Sequence, residues 1–290
     1  MADDPESKIL ESPIMQQVQL ARPSYVFENL PPEFDRLKFQ SAILRPITER
    51  LLRSVELSEG MRVLDLGSGV GDVALLAAER VGPSGAVVGI DRDPRSVAAA
   101  NERARTGGFQ HVAFEVGAVD EYPVREKFDV VVGRYVLVHQ GDPGAFIRAA
   151  ARHLKPGGVV AFHEISLYQG YHCRPSVPAW EEMAKVLNAA LRHGAGGWDA
   201  AGRLVEHFMN AGLPCPKLFA ESLVDGGEDS PFYMWLAETA RSLLSRAIES
   251  GEVSAQEIAI DTLADRMKAE VVQARGQLEV ASQVCAWVRP

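Results

Sequence analysis

The stretch VLDLGSGVG at residues 63–71 decides the fold class of this chain. It begins as an apolar β-strand, continues into a loop with glycine at every second position, and leads into a helix predicted from Asp72. Glycine lets a loop backbone approach a ligand closely, and the N–H groups at a helix start favour an anionic group. The loop therefore suits a nucleotide-like cofactor, although a tight strand-to-helix turn would require the same glycines for steric reasons.

Short apolar strands alternate with helices on both sides of this loop. The predicted strands are RVLDL (62–66), AVVGID (86–91), HVAFEV (111–116), FDVVVG (128–133) and GVVAFHEI (158–165). Aspartate followed by proline, at residues 93–94 and 142–143, is typical of a helix start. Parallel neighbours need crossover connections, so this order predicts a doubly wound, mainly parallel α/β sheet with a ligand site at the carboxyl ends of the strands.

Composition excludes several other classes of protein. The chain of 290 residues has a formal net charge of -9, and its basic residues are dispersed, which argues against a nucleic-acid substrate. The three cysteines lack metal-ligand spacing, so we expect free thiols and no metal site. No stretch reaches membrane-spanning length and no leader is evident at the amino terminus, so we expect a cytoplasmic protein with no membrane partner.

A carboxylate follows the second predicted strand. Asp91 lies twenty positions after Gly71, where its two oxygens can accept hydrogen bonds from the vicinal hydroxyls of a ribose. The alternative role is to cap the next helix, but Asp93 occupies the better capping position. The glycine loop and Asp91 thus support each other.

Five segments in this order resemble the class I S-adenosylmethionine-dependent methyltransferase superfamily, and in particular its small-molecule branch related to ubiquinone and menaquinone biosynthesis. They are VLDLGSGVGD (63–72), GIDRD (89–93), EVGAVDEYP (115–123), FDVVVGRYVLVH (128–139) and LKPGGVVAFHE (154–164). The resemblance covers about residues 60–165. It implies S-adenosylmethionine as cofactor, S-adenosylhomocysteine as product and a small-molecule acceptor, which neither the resemblance nor the residues identify.

The resemblance also implies an architecture for the rest of the chain. KLFAESLV (217–224) and ASQVCAWV (281–288) look like the last two strands of a Rossmann-like, seven-stranded sheet that ends in an antiparallel strand. We expect a helical arm or cap over residues 1–58, a core over 59–290, and a helical insertion at about 229–279 as a candidate lid. Pro46 leaves open whether the arm contains one helix or two.

The resemblance assigns cofactor contacts residue by residue. It implies that the glycine loop lies along the methionine and ribose, that Asp91 holds the ribose, and that Arg92 and Val119 lie beside the adenine. Ala118 departs from the common pattern, because many relatives have aspartate there for the adenine amino group. The expected cofactor-binding residues are Asp65, Gly67, Ser68, Gly69, Gly71, Asp91, Arg92, Ala118, Val119 and Arg134.

Methyl transfer needs a general base only when the acceptor arrives protonated. His139 and His163 follow or end predicted strands at the binding edge and are the candidate bases, although a histidine at a strand end is more often a packing or hydrogen-bonding residue. Four aromatic residues are candidates for an apolar substrate pocket, with core packing as their alternative role: Tyr25, Phe27, Phe232 and Trp235.

Two other functions remain open at this point. A nicotinamide-dependent oxidoreductase also combines a glycine loop with an acidic residue, but the run GSGVGD at residues 67–72 lacks the GxGxxG spacing. A cofactor-binding partner protein without transfer activity would retain the same motifs. The sequence gives no indication of oligomeric state.

Overall fold

In the computed structural model, the described residues are 31–290 without 125, 195 and 255, and without the side chains of 31–35, 38 and 194. Tyr25 and Phe27 therefore lie outside the described residues. The helices are α1 (Pro31–Ser54), α2 (Asp72–Val81), α3 (Pro94–Thr106), α4 (Pro143–Ala151), α5 (Pro178–Gly194), α6 (Leu204–Asn210), α7 (Phe232–Glu249) and α8 (Leu263–Ala274). The strands are β1 (Arg62–Leu66), β2 (Ala86–Asp91), β3 (Val112–Val116), β4 (Phe128–Arg134), β5 (Leu154–Ile165), β6 (His172–Arg174), β7 (Lys217–Gly226) and β8 (Gln277–Val288).

The strands form one mixed sheet. β3, β2, β1, β4 and β5 lie side by side in that order and are parallel. The strand order therefore reverses at β1, because β2 and β3 lie on one side of it and β4 and β5 lie on the other. β8 runs antiparallel to β5 and β6 along one edge and to β7 along the other. The doubly wound class is confirmed, and the sheet contains one short strand, β6, beyond the seven predicted.

Alternating strand residues fill two separate helix layers. In β1, Val63 faces a core built with α1, α2 and α3, whereas Leu64 faces a core built with α4 and α6. A third apolar cluster joins α5, α7 and α8 around Trp180 and Met267. The burial of strands on both faces explains why their sequences read as continuous apolar runs.

The predicted helix starts have their expected caps. The Asp93 carboxylate accepts a hydrogen bond from the backbone N–H of Arg95 at 3.1 Å, and Asp142 accepts one from Ala145 at 2.9 Å. α1 is one continuous helix through Pro46, because buried residues such as Leu44 and Leu51 anchor it on both sides of the proline. No helix among the described residues is both long enough and apolar enough to cross a membrane.

Candidate active site

The carboxyl ends of β1, β2 and β4 open into a cavity of about 640 Å³. One side of the cavity, here called the loop wall, consists of residues 65–70, 72–73, 90–95 and 117–119. The opposite side, here called the roof, comes from α1 and α7 and consists of Arg36, Leu37, Gln40, Trp235, Leu236 and Thr239. The site therefore lies where the strand order reverses, as expected for this fold class.

The glycines of the loop have two different tasks. Gly67 and Gly69 line the cavity with φ angles of 64° and 52°, a conformation that side chains disfavour. Gly71, with φ of 90°, is not among the cavity-lining residues, and a Cβ there would lie 2.6 Å from Cζ of Phe114. We therefore assign Gly71 to close packing at the start of α2 rather than to ligand contact.

Asp91 organises the loop wall. Its Oδ2 accepts a hydrogen bond from the Gly69 N–H at 2.8 Å, and its Oδ1 accepts one from the Asp93 N–H at 2.9 Å. Burial raises the pKa of this carboxyl, whereas those backbone hydrogen bonds oppose the rise. The carboxylate thus holds the glycine loop beside the cavity, where both of its oxygens still have accepting lone pairs.

Asp65 brings a second acidic group to the wall. It is 1% exposed, and its Oδ2 has no hydrogen-bond partner among the described residues. Burial raises its pKa to about 8, while the charge of Arg134 works in the opposite direction. Nearby Asp72 pairs with Arg103 at 2.8 Å and with Arg134 at 3.7 Å. A ligand that carries positive charge beside this wall would favour the ionised form of Asp65.

The remaining predicted cofactor residues also line the cavity: Ser68, Arg92, Ala118, Val119 and Arg134. Arg92 lies 3.7 Å from the Asp120 carboxylate, and both of these side chains are exposed. Asp120 itself is not among the cavity-lining residues.

His139 lines the cavity from a short 3-10 turn, Leu137–His139, that follows β4. Burial lowers the pKa of its imidazole to about 4, and the charge of Arg246 lowers it further in the same direction. The imidazole is therefore neutral at pH 7. A base with this pKa removes a proton readily only from an acidic acceptor.

Glu164 holds the turn that carries His139. It is fully buried, and its Oε1 accepts hydrogen bonds from the N–H groups of Val136 and Leu137, both at 2.9 Å. Its Oε2 lies 3.4 Å from the N–H of Val138. Burial raises the pKa of the carboxyl to about 7 despite these bonds. Glu164 is a positioning residue and is absent from the cavity wall.

The structure places His163, the second predicted base, away from the cavity. It is fully buried, and its ring nitrogens lie 3.0 Å from Thr48 Oγ1 and 3.2 Å from Gln283 Oε1. The Gln283 oxygen also accepts from the Tyr135 hydroxyl at 2.5 Å, so the His163 Nε2 must donate to it. Nδ1 then accepts from Thr48, which leaves no ring nitrogen for an acceptor molecule.

The polar contacts around His163 extend through Thr48 and Arg134 to Asp72 in the loop wall. Arg134 Nη1 donates to Thr48 Oγ1 at 3.3 Å, and Arg134 Nη2 lies 3.7 Å from Asp72. Burial lowers the pKa of His163 to about 3, with Arg134 lowering it further, so the ring stays neutral. We therefore assign His163 to the chain of hydrogen bonds that joins α1 and β8 to the cofactor side of the sheet.

Sequence reasoning missed most of the roof. Trp235 lines the cavity as predicted, whereas Phe232 packs against Trp235 with ring centroids 6.1 Å apart and does not line it. Arg36 and Gln40 are polar although they are buried. They lie four residues apart on one face of α1, and this polar pair was the signal that the sequence offered. Further cavity residues outside the sequence predictions are Leu37, Asp72, Tyr135, Tyr171, Leu191, Leu236 and Thr239.

Comparisons with known proteins agree on one family. A family model described as "Methyltransferase domain" matches residues 57–208. A demethylmenaquinone methyltransferase of Anoxybacillus flavithermus is 30% identical over 230 residues, which cover 78% of this chain and 83% of the relative. An arsenite methyltransferase of Aquipseudomonas alcaligenes is 37% identical over 117 residues, which cover 38% of this chain and 34% of that relative.

The fold has a solved counterpart. The YcgJ protein of Bacillus subtilis superposes with a TM-score of 0.55 at 17% identity, covering 84% of this chain and 98% of that structure. At this identity the likeness concerns the fold alone, and it extends over the sheet and its helices rather than over the motifs only.

Proposed function

The chain belongs to the class I S-adenosylmethionine-dependent methyltransferases, and on this premise we propose that it methylates a small organic acceptor held beneath the roof. The observation that carries the proposal is one cavity that reaches from the loop wall to the roof. Cofactor and acceptor can therefore meet inside one cavity, where positioning and exclusion of water would provide most of the catalysis.

The loop wall fits the cofactor. S-adenosylmethionine, when bound, supplies a methyl group on a positively charged sulfur, and the neutral thioether that departs needs no acid. The unpartnered, buried Oδ2 of Asp65 supports a cationic ligand at this wall. We propose that Asp91 accepts hydrogen bonds from the ribose hydroxyls and that Gly67, Ser68 and Gly69 lie along the ribose and methionine.

The proposed contacts of the adenine rest on the positions of cavity-lining residues in the same way. Arg92, Ala118 and Val119 border the cavity on one side and would pack along the base. Arg134 follows at the end of β4, where its backbone carbonyl would contact the amino group of the methionine part. The side chain of Arg134 already bonds Thr48 and neighbours Asp72, so its role is to hold the wall.

We propose His139 as the catalytic residue. It lines the part of the cavity that would hold the acceptor, here called the acceptor side. Because its imidazole is neutral, it can accept a hydrogen bond or a proton from an acceptor beside it. Its low pKa restricts general-base catalysis to acceptors that lose a proton easily, such as acidic hydroxyl or carbon acids. For an acceptor that arrives deprotonated, His139 orients the nucleophile.

The cysteines favour an organic acceptor over arsenite. Arsenic in its trivalent state prefers soft thiolate ligands, and the chain contains three cysteines, at positions 173, 215 and 285. None of the three lines the cavity. All three are free thiols, which supports the further proposal of a reducing, cytoplasmic environment.

Calorimetric titration with S-adenosylmethionine and S-adenosylhomocysteine, with NADH in parallel, tests the proposal. We expect saturable binding of both sulfur nucleotides and none of NADH. Binding of NADH alone would indicate an oxidoreductase instead. Binding of S-adenosylmethionine with no methylated product across a broad panel of metabolites would indicate an inactive binding protein, whereas any methylated product excludes that alternative.

A further inference from the structure

Two buried polar side chains present hydrogen-bonding groups to the cavity that no described residue satisfies. Gln40, in the roof, is 8% exposed, and Tyr171, in the connection from β5 to β6, is 5% exposed. Both line the cavity. Neither the Gln40 Nε2 nor the Tyr171 hydroxyl is among the fully buried, unpaired atoms of the described residues, so both groups remain accessible and can pair with a ligand in the cavity.

The orientation of the Gln40 amide is fixed by its neighbours. Its Oε1 lies 3.0 Å from Nη1 of Arg36 and 3.3 Å from Nε1 of Trp235. Both neighbours are pure donors, so the oxygen must face them and the Nε2 group must point the other way. No described residue accepts a hydrogen bond from this Nε2, which therefore offers two N–H donors.

Tyr171 supplies the second group. Its ring packs in the apolar cluster of α5, α7 and α8, and its hydroxyl has no hydrogen-bond partner among the described residues. Burial raises the pKa of the hydroxyl, so Tyr171 stays protonated and can donate as well as accept. Its neighbour Tyr135 differs, because the Tyr135 hydroxyl already donates to Gln283.

Four further residues on the acceptor side are apolar. Val138, Ile165, Leu191 and Leu236 line it, and they all belong to or adjoin the same buried cluster. A molecule that fits such a chamber is largely apolar and carries few polar groups. Donors placed in apolar surroundings discriminate strongly for a ligand that satisfies them, because any other ligand leaves them buried and unpaired.

We propose that Gln40 and Tyr171 bind an oxygen of the acceptor, so that the substrate class is a small, largely apolar molecule with a carbonyl, carboxylate or phenolate oxygen. This inference rests on the proposed function, since it concerns the acceptor side of the same cavity. Arg36 Nη1 donates to Gln40 Oε1 at 3.0 Å and lies 3.3 Å from Thr239 Oγ1, so this guanidinium holds the Gln40 amide in place.

The test uses the full chain saturated with S-adenosylhomocysteine, so that no turnover occurs. Calorimetry first establishes that S-adenosylhomocysteine binds; its failure to bind would count against the proposed function itself. Ligand-observed NMR titrations then compare three probes of similar size: 2-acetylnaphthalene, 2-naphthoate and 2-ethylnaphthalene. The first two carry an oxygen where the third has only hydrocarbon.

We expect both oxygen-bearing probes to bind about tenfold more tightly than 2-ethylnaphthalene, the effect of about one buried hydrogen bond. Tighter binding of 2-naphthoate than of 2-acetylnaphthalene would identify the oxygen as anionic, and the reverse order would identify a neutral carbonyl. Equal affinities of all three probes, or no binding by any of them while S-adenosylhomocysteine binds, would overturn the inference.

Two variants locate the effect. Gln40→Met removes the donors at similar volume, and Tyr171→Phe removes only the hydroxyl; each should abolish most of the preference for oxygen while the affinity for S-adenosylhomocysteine stays within about twofold. Gln110→Met and Tyr168→Phe are the matched controls at exposed positions, and they should keep the preference. A preference that persists unchanged in both Gln40→Met and Tyr171→Phe would refute the assignment.

Discussion

Substitution of Asp65 by asparagine should remove the pH dependence of stability that this residue causes. Burial raises the pKa of the carboxyl from 3.8 to about 8, so the folded protein keeps a proton that the unfolded chain has already lost. Between these two values the folded state binds more protons than the unfolded state, and the stability of the wild type therefore falls as the pH rises. Asparagine cannot titrate, and it retains a side-chain oxygen of similar position.

The size of this pH dependence follows from a difference of one bound proton between the folded and the unfolded state. A single group that is protonated in the folded state and ionised in the unfolded state changes the free energy of unfolding by about 1.4 kcal/mol per pH unit. Between pH 5 and pH 7, the wild type should therefore lose about 3 kcal/mol relative to Asp65→Asn. All other titrating groups occur in both proteins, so they cancel in this difference.

Urea unfolding at pH 5, 6 and 7 measures the difference directly. Asp229→Asn is the matched control, because the carboxyl of Asp229 remains exposed to solvent in the folded protein. Stability curves of wild type and Asp65→Asn that run parallel across this range would refute the reasoning. A cation bound beside Asp65 favours its ionised form, so we also expect the affinity of the wild type for S-adenosylmethionine to rise with pH up to about 8.

Four further substitutions test the site. Asp91→Ala should weaken binding of S-adenosylmethionine in calorimetry by about 100-fold, the effect of two charge-assisted hydrogen bonds, while the far-UV spectrum is retained; unchanged affinity would exclude the ribose role. His139→Ala should lower kcat without a comparable loss of cofactor affinity, and the wild-type kcat should show no inflection near pH 6.5 from this imidazole, because its pKa is about 4; full turnover of the variant would remove His139 from the mechanism. Glu164→Gln turns one accepting oxygen into a donor that faces a backbone N–H, so the free energy of unfolding should fall by about 1–3 kcal/mol in urea titrations; wild-type stability would mean that the turn does not depend on this carboxylate. Gly71→Ala, with its Cβ directed at the Phe114 ring, should lower the midpoint of thermal unfolding by several degrees, whereas an unchanged midpoint would contradict the packing role.

Much of the fold could be predicted because its determinants are local. The Asp93 and Asp142 caps, the glycine turn at residues 67–71 and the apolar strands each act within a few residues of the chain. The parallel order then follows from the alternation of strands with helices. β6 escaped prediction because three residues are too few for a periodic pattern, and it forms only because β8 offers a free stretch of edge beyond the end of β5.

The candidate site was predictable on its loop wall and far less so at its roof. The wall comes from motifs that are contiguous in sequence, whereas the roof joins Gln40 to Trp235 across almost two hundred residues. The two histidines illustrate the same limit. His139 lies in the turn after β4 and His163 lies near the end of β5, and only the packing of α1 and β8 around His163 determines that it is covered.

Gly71 and Phe232 show how packing decides between roles that sequence leaves open. A glycine in a binding motif and an aromatic residue in a candidate lid both resembled ligand contacts. Gly71 instead leaves room for the ring of Phe114, and Phe232 supports Trp235 from behind. Phe114 is distant from Gly71 in the chain, and although Trp235 is only three residues from Phe232, the sequence does not show which of these two aromatic residues faces the cavity.

Pro46 divides α1 into two halves with different roles. Beyond the proline, Thr48, Leu51 and Leu52 are anchored in the body of the protein. Before it, Arg36 and Gln40 form part of the roof. Since proline donates no backbone hydrogen bond, the two halves are joined at the weakest point of the helical ladder. Changes in the choice of acceptor can thus accumulate at the roof positions of the first half, while the core positions on both sides of the proline, such as Leu44 and Leu51, stay as they are.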